Sequence, residues 1–192
     1  MEAVGIGDLH LPDAQGLGGL AKYIENPERM ICNEVRKVLA YARERQIRHV
    51  FQYGDVCDGA RMSYDAMCEL DDLVREHQDL MFWIILGNHD MLGTVPESGH
   101  SLQVMQRMTR DLKNVRIMVN PVTKKIDGAS VRFLPYPHTP DKRGALNVFH
   151  NEVYGSKSDS GRVNKDEELS RSKLIAVGGH LHTAHQVRNT YF

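Results

Sequence analysis

The chain contains no run of about eighteen apolar residues, the length a helix needs to cross a bilayer, so nothing in it reads as a membrane span. Cysteine is also scarce. Cys32, Cys57 and Cys68 are odd in number and show no C-x-x-C spacing, so neither a disulfide framework nor a zinc-thiolate site is indicated, and they read as small buried apolar residues. Charge of one sign is missing too: a formal net charge of −1 and a pI near 6.8 do not announce a nucleic-acid binder. They do not exclude one, because bound divalent cations would add local positive charge that the formal count omits. No basic leader precedes the first strand-like run, Ala3–Ile6, which makes a cytoplasmic protein the expectation. No repeat, low-complexity tract or linker divides the 192 residues, and 41% hydrophobic content suits a single domain over 1–192.

Histidine, by contrast, is plentiful at ten residues, and five of these sit next to segments of one kind. Leu86-Gly87-Asn88-His89-Asp90 follows the apolar run Leu80–Ile85, which is too short for a typical helix and reads as a buried strand. An amide, an imidazole and a carboxylate in succession are poor core material, since an unpartnered buried polar group costs roughly 2–7 kcal/mol. Gly7-Asp8-Leu9-His10, Gly54-Asp55-Val56-Cys57-Asp58 and Gly179-His180-Leu181-His182 repeat the pattern of a short apolar run ending in metal-ligand chemistry. In open α/β sheets the crevice beyond the carboxyl ends of strands is where ligands bind.

The order of elements supports that placement. Asp8 and His10 alternate at a strand end and are expected on one side of it. Asn26-Pro27 supplies a cap and a first-turn proline for a helix over 28–45, with Ile31, Val35, Val38, Leu39 and Ala42 inward. A strand over 47–53 follows, then a helix over 63–77 capped by Ser63, with Met67, Leu70, Leu73 and Val74 inward, then the 80–86 strand. Such β-α-β-α-β alternation predicts a parallel sheet. Beyond a loop at 91–100 come a helix over 101–112 and strands near 115–119, 122–127, 131–136, 146–149, 173–178 and 185–192, with Asp127-Gly128 as a hairpin turn. These make a second, mixed sheet. Residues 151–172 are polar, weakly periodic and longer than an ordinary connection.

Asp8, His10, Asp55, Asn88, His150, His180 and His182 form a set of oxygen and nitrogen donors without thiolate, suited to manganese, iron, zinc or magnesium. Seven ligands exceed what one ion takes, so two ions are expected, with one carboxylate bridging them. Two-metal sites serve phosphatases, nucleases and some peptidases.

In order, D-x-H, G-D-x-x-D, G-N-H-D, a lone histidine and G-H-x-H resemble the calcineurin-like metallophosphoesterases, over residues 5–183. The resemblance implies an α/β/β/α four-layer sandwich and a binuclear centre, manganese foremost. It implies that Asp8, His10, Asp55 and His182 hold the first ion, that Asp55 bridges, and that Asn88, His150 and His180 complete the second. It further implies a hydroxide between the ions as nucleophile and a non-ligating His89 that protonates the leaving oxygen, oriented by Asp58 or Asp90. The protein serine/threonine phosphatases carry G-D-x-V-D-R-G and G-N-H-E, whereas Asp58-Gly59-Ala60 lacks the phosphate-gripping arginine and the later motif ends in Asp90. Phe149–Ser160 is similar instead to the stretch after the lone histidine in SbcD-type DNA-end-processing nucleases, as is Asp8-Leu9-His10-Leu11.

That branch implies DNA as substrate and an ATPase partner subunit. Those enzymes continue past G-H-x-H, so the chain is expected to be the catalytic part of a longer protein or a minimal relative, with 183–192 adding one strand. A phosphatase or phosphodiesterase acting on a nucleotide or small ester is the alternative within the superfamily. A non-catalytic metal-binding scaffold is the alternative outside it, against which stands His89, an imidazole that such a site does not need. His138 reads as surface loop, His49, His77, His100 and His185 as solvated or structural, and Lys124, Lys125, Arg132, Lys142 and Arg143 as a solvated face.

Overall fold

A computed structural model describes residues 1–13, 24–93, 95–152, 156–157, 160, 162–164, 175–180, 186–187 and 190–191. Its first sheet is wholly parallel and runs in chain order: β1 (Ala3–Ile6), β2 (His49–Gln52), β3 (Met81–Ile85) and β4 (Val115–Met118). The crossovers are α1 (Pro27–Glu44), α2 (Tyr64–Glu76) and α3 (Leu102–Met108). Because side chains alternate along a strand, each strand divides its residues between two cores. Val4, Val50, Phe82, Ile84 and Val115 pack against Cys32, Val35, Leu39 and Ala42 of α1 and Ala66, Leu70, Leu73 and Val74 of α2. Phe51, Ile85 and Met118 face the other way, against Ile126, Val131, Phe133 and Val148 of the second sheet. Trp83 stacks on Phe133 with centroids 5.5 Å apart, and Phe51 meets the same ring edge-on at 5.6 Å. Phe133 is fully buried between the sheets; truncating it to alanine would cost about 3–5 kcal/mol.

The second sheet has the order β5 (Val122–Ile126), β6 (Ala129–Leu134), β7 (Leu146–His150), β8 (Ile175–Gly179), β10 (Thr190–Tyr191), β9 (Gln186–Val187). β5 and β6 form a hairpin whose turn residues, Asp127 and Gly128, have φ of 46° and 80°, the two positive values a type I′ turn requires. β6, β7, β8 and β10 are mutually parallel. The single strand expected over 185–192 is instead two short strands, with β9 antiparallel to β10 and covering an edge that would otherwise be bare. Two parallel-dominated sheets face to face with helices outside make the expected sandwich; among the described residues the helices all stand on the first sheet.

Three local expectations change. Asn26 has φ 51° and makes no side-chain cap, leaving Pro27 to start α1 by its fixed backbone angle. Ser63 does cap α2, its Oγ accepting the Ala66 N–H at 3.1 Å. α3 stops at Met108: the Thr109 N–H makes the last i→i−4 bond, to the Met105 carbonyl at 2.9 Å, the Thr109 hydroxyl donates to the same oxygen at 2.8 Å, and the next turn closes over three residues, with the Leu112 N–H on the Thr109 carbonyl at 2.9 Å. Arg132 is not solvated: it is buried on the outer face of β6, with Nε donating to Asp141 at 3.3 Å.

Candidate metal centre

The polar motifs lie beyond the carboxyl ends of β1, β2, β3, β7 and β8, on the side where the two sheets face each other. Asp8 and His10 are not in extended backbone, as strand alternation would have them. Both are left-handed, at φ 49° and 45°, while their amides continue to pair with the Gly54 and Asp55 carbonyls at 3.3 and 3.0 Å. Asp55 (φ 50°) and His180 (φ 87°) share this uncommon conformation. Sharp turns at three strand ends aim four candidate ligands into one crevice.

Asp55 is its centre. The carboxylate is buried; Oδ1 accepts the His89 N–H at 2.9 Å, and Oδ2 lies 3.2 Å from His150 Nε2 and 3.8 Å from His10 Nε2. Donor atoms of Asp8, His10 and Asp55 lie within 4.8 Å of one another, as do those of Asp55, His150 and His180. Asp55 belongs to both groups. Asn88 joins the second: its Oδ1 is 3.0 Å from His150 Nε2 and 2.9 Å from His180 Nδ1. Asp8 also accepts the His180 N–H at 3.0 Å. His182 lies outside the described residues.

Donor chemistry supplies a test of whether a cation fits. His150 Nδ1 donates to the Tyr53 carbonyl at 2.7 Å, so in the neutral ring Nε2 carries the lone pair. That lone pair faces the oxygens of Asn88 and Asp55, which are acceptors as well. Three acceptors converging on one point repel unless positive charge lies among them, and oxygen and imidazole donors suit a hard divalent ion. In the metal-free chain a proton on His150 Nε2 supplies that positive charge instead, and it is this protonated ring that sets the electrostatics. Burial alone would push the Asp55 carboxyl up, but the hydrogen bond and charge of His150 hold it below the usual range. His150 is correspondingly held above the usual imidazole value against the opposing effect of burial. Burial, with the His150 charge adding to it, lowers His180.

Glycine is required where ligand loops touch. A Cβ on Gly87 would sit 2.0 Å from Asp55 Oδ1 and 2.3 Å from its amide nitrogen, and one on Gly54 (φ 96°) would sit 2.5 Å from His150 Nδ1. The Gly54 turn is also clasped by Gln52, whose side-chain amide donates to the Gly54 carbonyl at 2.7 Å and accepts its N–H at 3.0 Å.

His89 stands at the rim, exposed, with Nδ1 3.3 Å from Asp58 Oδ1, and Nε2 has no partner among the described residues. Asp58 is therefore placed to orient it. Asp90 is not, and its expected catalytic role gives way to a structural one. Its carboxylate is fully buried and turned inward, accepting the Gly87 and Cys57 N–H groups at 2.9 Å each, the Val56 N–H at 3.3 Å and the Ser101 hydroxyl at 3.0 Å. Burial pushes this carboxyl up, against the pull of those donors. Asp90 thus ties the loop after β2 to the loop after β3 and to the start of α3.

Sequence reasoning passed over four contributors: the Tyr53 carbonyl, Gln52, Ser101 and Glu152, whose Oε1 lies 4.0 Å from His180 Nε2. Only Gln52 carried a signal, as a polar residue ending an apolar strand.

Comparison with known proteins bears on the same residues. The sequence model of the calcineurin-like phosphoesterases matches residues 1–184. No curated protein matches the chain significantly. Among solved structures, a novel archaeal phosphodiesterase aligns at TM-score 0.43 and 10% identity, over 83% of this chain and 79% of that one. The nuclease MPE of Pseudomonas putida aligns at TM-score 0.45 and 17% identity, over 84% of this chain and 66% of that one, just under two thirds of its length.

Proposed function

This chain belongs to the calcineurin-like phosphoesterase family, and we propose that it hydrolyses phosphodiester bonds in DNA at a centre of two divalent ions, manganese foremost. The observation that carries the hydrolytic reading is Asp55, one buried carboxylate shared by two groups of candidate ligands. On this reading Asp8, His10, Asp55 and His182 hold one ion, and Asp55, Asn88, His150 and His180 the other. Bound cations of this kind supply Lewis acidity and an activated water at neutral pH.

The remaining steps fall to the chain's own side chains. A diester releases an alkoxide, which needs a proton as the bond to phosphorus breaks. His89, exposed and held at Nδ1 by the Asp58 carbonyl and carboxylate, donates that proton; such general acids contribute typically 10²–10⁴-fold. Asp90 catalyses nothing itself and holds the loop that carries Asn88 and His89. Support for a diester over a monoester comes from Gly59, which stands where the serine/threonine phosphatases have arginine. A Cβ there would meet Asp13 Oδ2 at 2.6 Å, so the rim beside Asp58 carries a carboxylate instead of a guanidinium, which disfavours a dianionic monoester. DNA as the substrate, with an ATPase partner subunit, rests on the similarity of Phe149–Ser160 to SbcD-type nucleases.

Hydrolysis of linear duplex and single-stranded DNA, beside phosphomonoester and phosphodiester dyes, tests this with manganese and with chelator, for wild type and His89→Ala. Chelator-sensitive, His89-dependent DNA cleavage is expected. Turnover of the small esters alone would remove DNA as substrate, and activity undiminished in chelator would overturn the metal centre.

A further inference from the structure

Asp58 does more than orient His89. Its Oδ1 hydrogen-bonds to His10 Nδ1 at 3.2 Å and lies 3.3 Å from His89 Nδ1, whose own hydrogen bond goes to the Asp58 carbonyl at 3.4 Å. The rings themselves meet edge to face, with centroids 4.8 Å apart. An ionised carboxylate only accepts hydrogen bonds, so the hydrogen in the His10 contact is on Nδ1. In the neutral ring Nε2 then carries the lone pair, on the side of Asp55 Oδ2 and within the ligand group formed with Asp8.

From the Asp58–His10 hydrogen bond we propose that Asp58 is a positioning residue for the first metal ion, acting through His10 by fixing the tautomer and ring orientation that present Nε2 as a ligand. The inference rests on the reading of His10 as a ligand. A carboxylate behind a ligating imidazole raises its basicity and removes its rotational freedom, and losing such a partner typically costs 10–100-fold in metal affinity. The structure provides a built-in comparison. His150 gets the same service from the Tyr53 carbonyl, a backbone group that no side-chain change removes. His10 depends on a side chain at the rim, 45% exposed, that also serves the proton donor. Ion retention at the first position and the aim of His89 are thereby coupled through one residue.

The test is Mn²⁺ titration of the metal-free full chain, followed calorimetrically and by electron paramagnetic resonance, for wild type, Asp58→Ala, His10→Ala and His89→Ala. Two equivalents are expected in wild type. In Asp58→Ala one equivalent weakens 10–100-fold while the other is unchanged, His10→Ala weakens the same equivalent, and His89→Ala retains both. If Asp58→Ala binds two equivalents with wild-type affinities while His10→Ala does not, Asp58 serves His89 alone and the proposal falls. If His10→Ala itself changes neither affinity, the ligand reading beneath it falls instead. Should Asp58→Ala not fold, nitrogen-15 NMR of His10 in metal-free wild type decides: the Nδ1–H tautomer is expected, and an Nε2–H tautomer overturns the proposal.

Discussion

Replacing Asp90 by alanine should destabilise the protein without touching substrate. The carboxylate is wholly buried and accepts from three backbone N–H groups and one hydroxyl, drawn from the loops after β2 and β3 and the start of α3. Alanine leaves all four donors in a space too small to hydrate freely, at about 1–3 kcal/mol for each one unsatisfied. Relaxation recovers part of that, and removing one side of a buried charged network generally costs about 3–5 kcal/mol, which is the value expected here. Set against the 5–15 kcal/mol of a whole domain, the loss is large. Urea unfolding in chelator, where no metal contributes, reads it directly. With m of roughly 2 kcal/mol/M, the midpoint should fall by about 1.5–2.5 M at unchanged slope. Ser101→Ala removes one donor of the four and should cost only about 1 kcal/mol, and the two changes should be non-additive by at least about 0.5 kcal/mol. A loss below about 1 kcal/mol for Asp90→Ala, with activity abolished and metals retained, would refute the structural reading and return Asp90 to the chemistry.

Gly87→Ala should displace Asp55, given a Cβ 2.0 Å from its Oδ1; metal analysis is expected to show fewer than two equivalents, with about 1–3 kcal/mol of overpacking cost in urea. Each manganese ion at a hundred times its Kd should add about 2.7 kcal/mol of stability, a rise in Tm of about 5–10 °C per ion at this chain length; a melting point indifferent to chelator would contradict the centre. Burial pushes the Cys32 and Cys57 thiols up to about 12, so neither forms appreciable thiolate until the pH approaches that value. At pH 8 a disulfide reagent should therefore titrate Cys68 alone in the native protein and all three thiols in denaturant; fast reaction of two in the native state would count against the packing of α1 or of the loop after β2.

Strands β1 to β4, both long helices and the hairpin turn were legible because each rests on local periodicity or local turn chemistry. The inward residues of α1 and α2 largely follow from the 3.6-residue repeat, and Asp127-Gly128 from its need for two positive φ values. What was not legible came from contacts distant in sequence. Asp90 sits in a motif beside His89 and reads as its companion; only the approach of Val56, Cys57 and Ser101, none of them local, turns it inward. The left-handed backbone at Asp8 and His10 likewise has no sequence mark, since neither is glycine, and strand alternation placed them correctly together for the wrong reason. α3 ended early where the turn after Thr109 tightens to a three-residue closure, a change that periodicity does not register.

The bond from the His180 N–H to the Asp8 carboxylate joins residues 172 positions apart. Closing a loop of that size costs on the order of 4–5 kcal/mol in chain entropy alone. On a ribosome adding about 5–20 residues per second, the first acidic motif emerges many seconds before the backbone that will hold it. Until then it is an unclosed clasp, able to attract cations but not to grip them. On the proposed ligand assignment, the centre therefore cannot close before β8 has docked beside β7, and metal retention reports that docking.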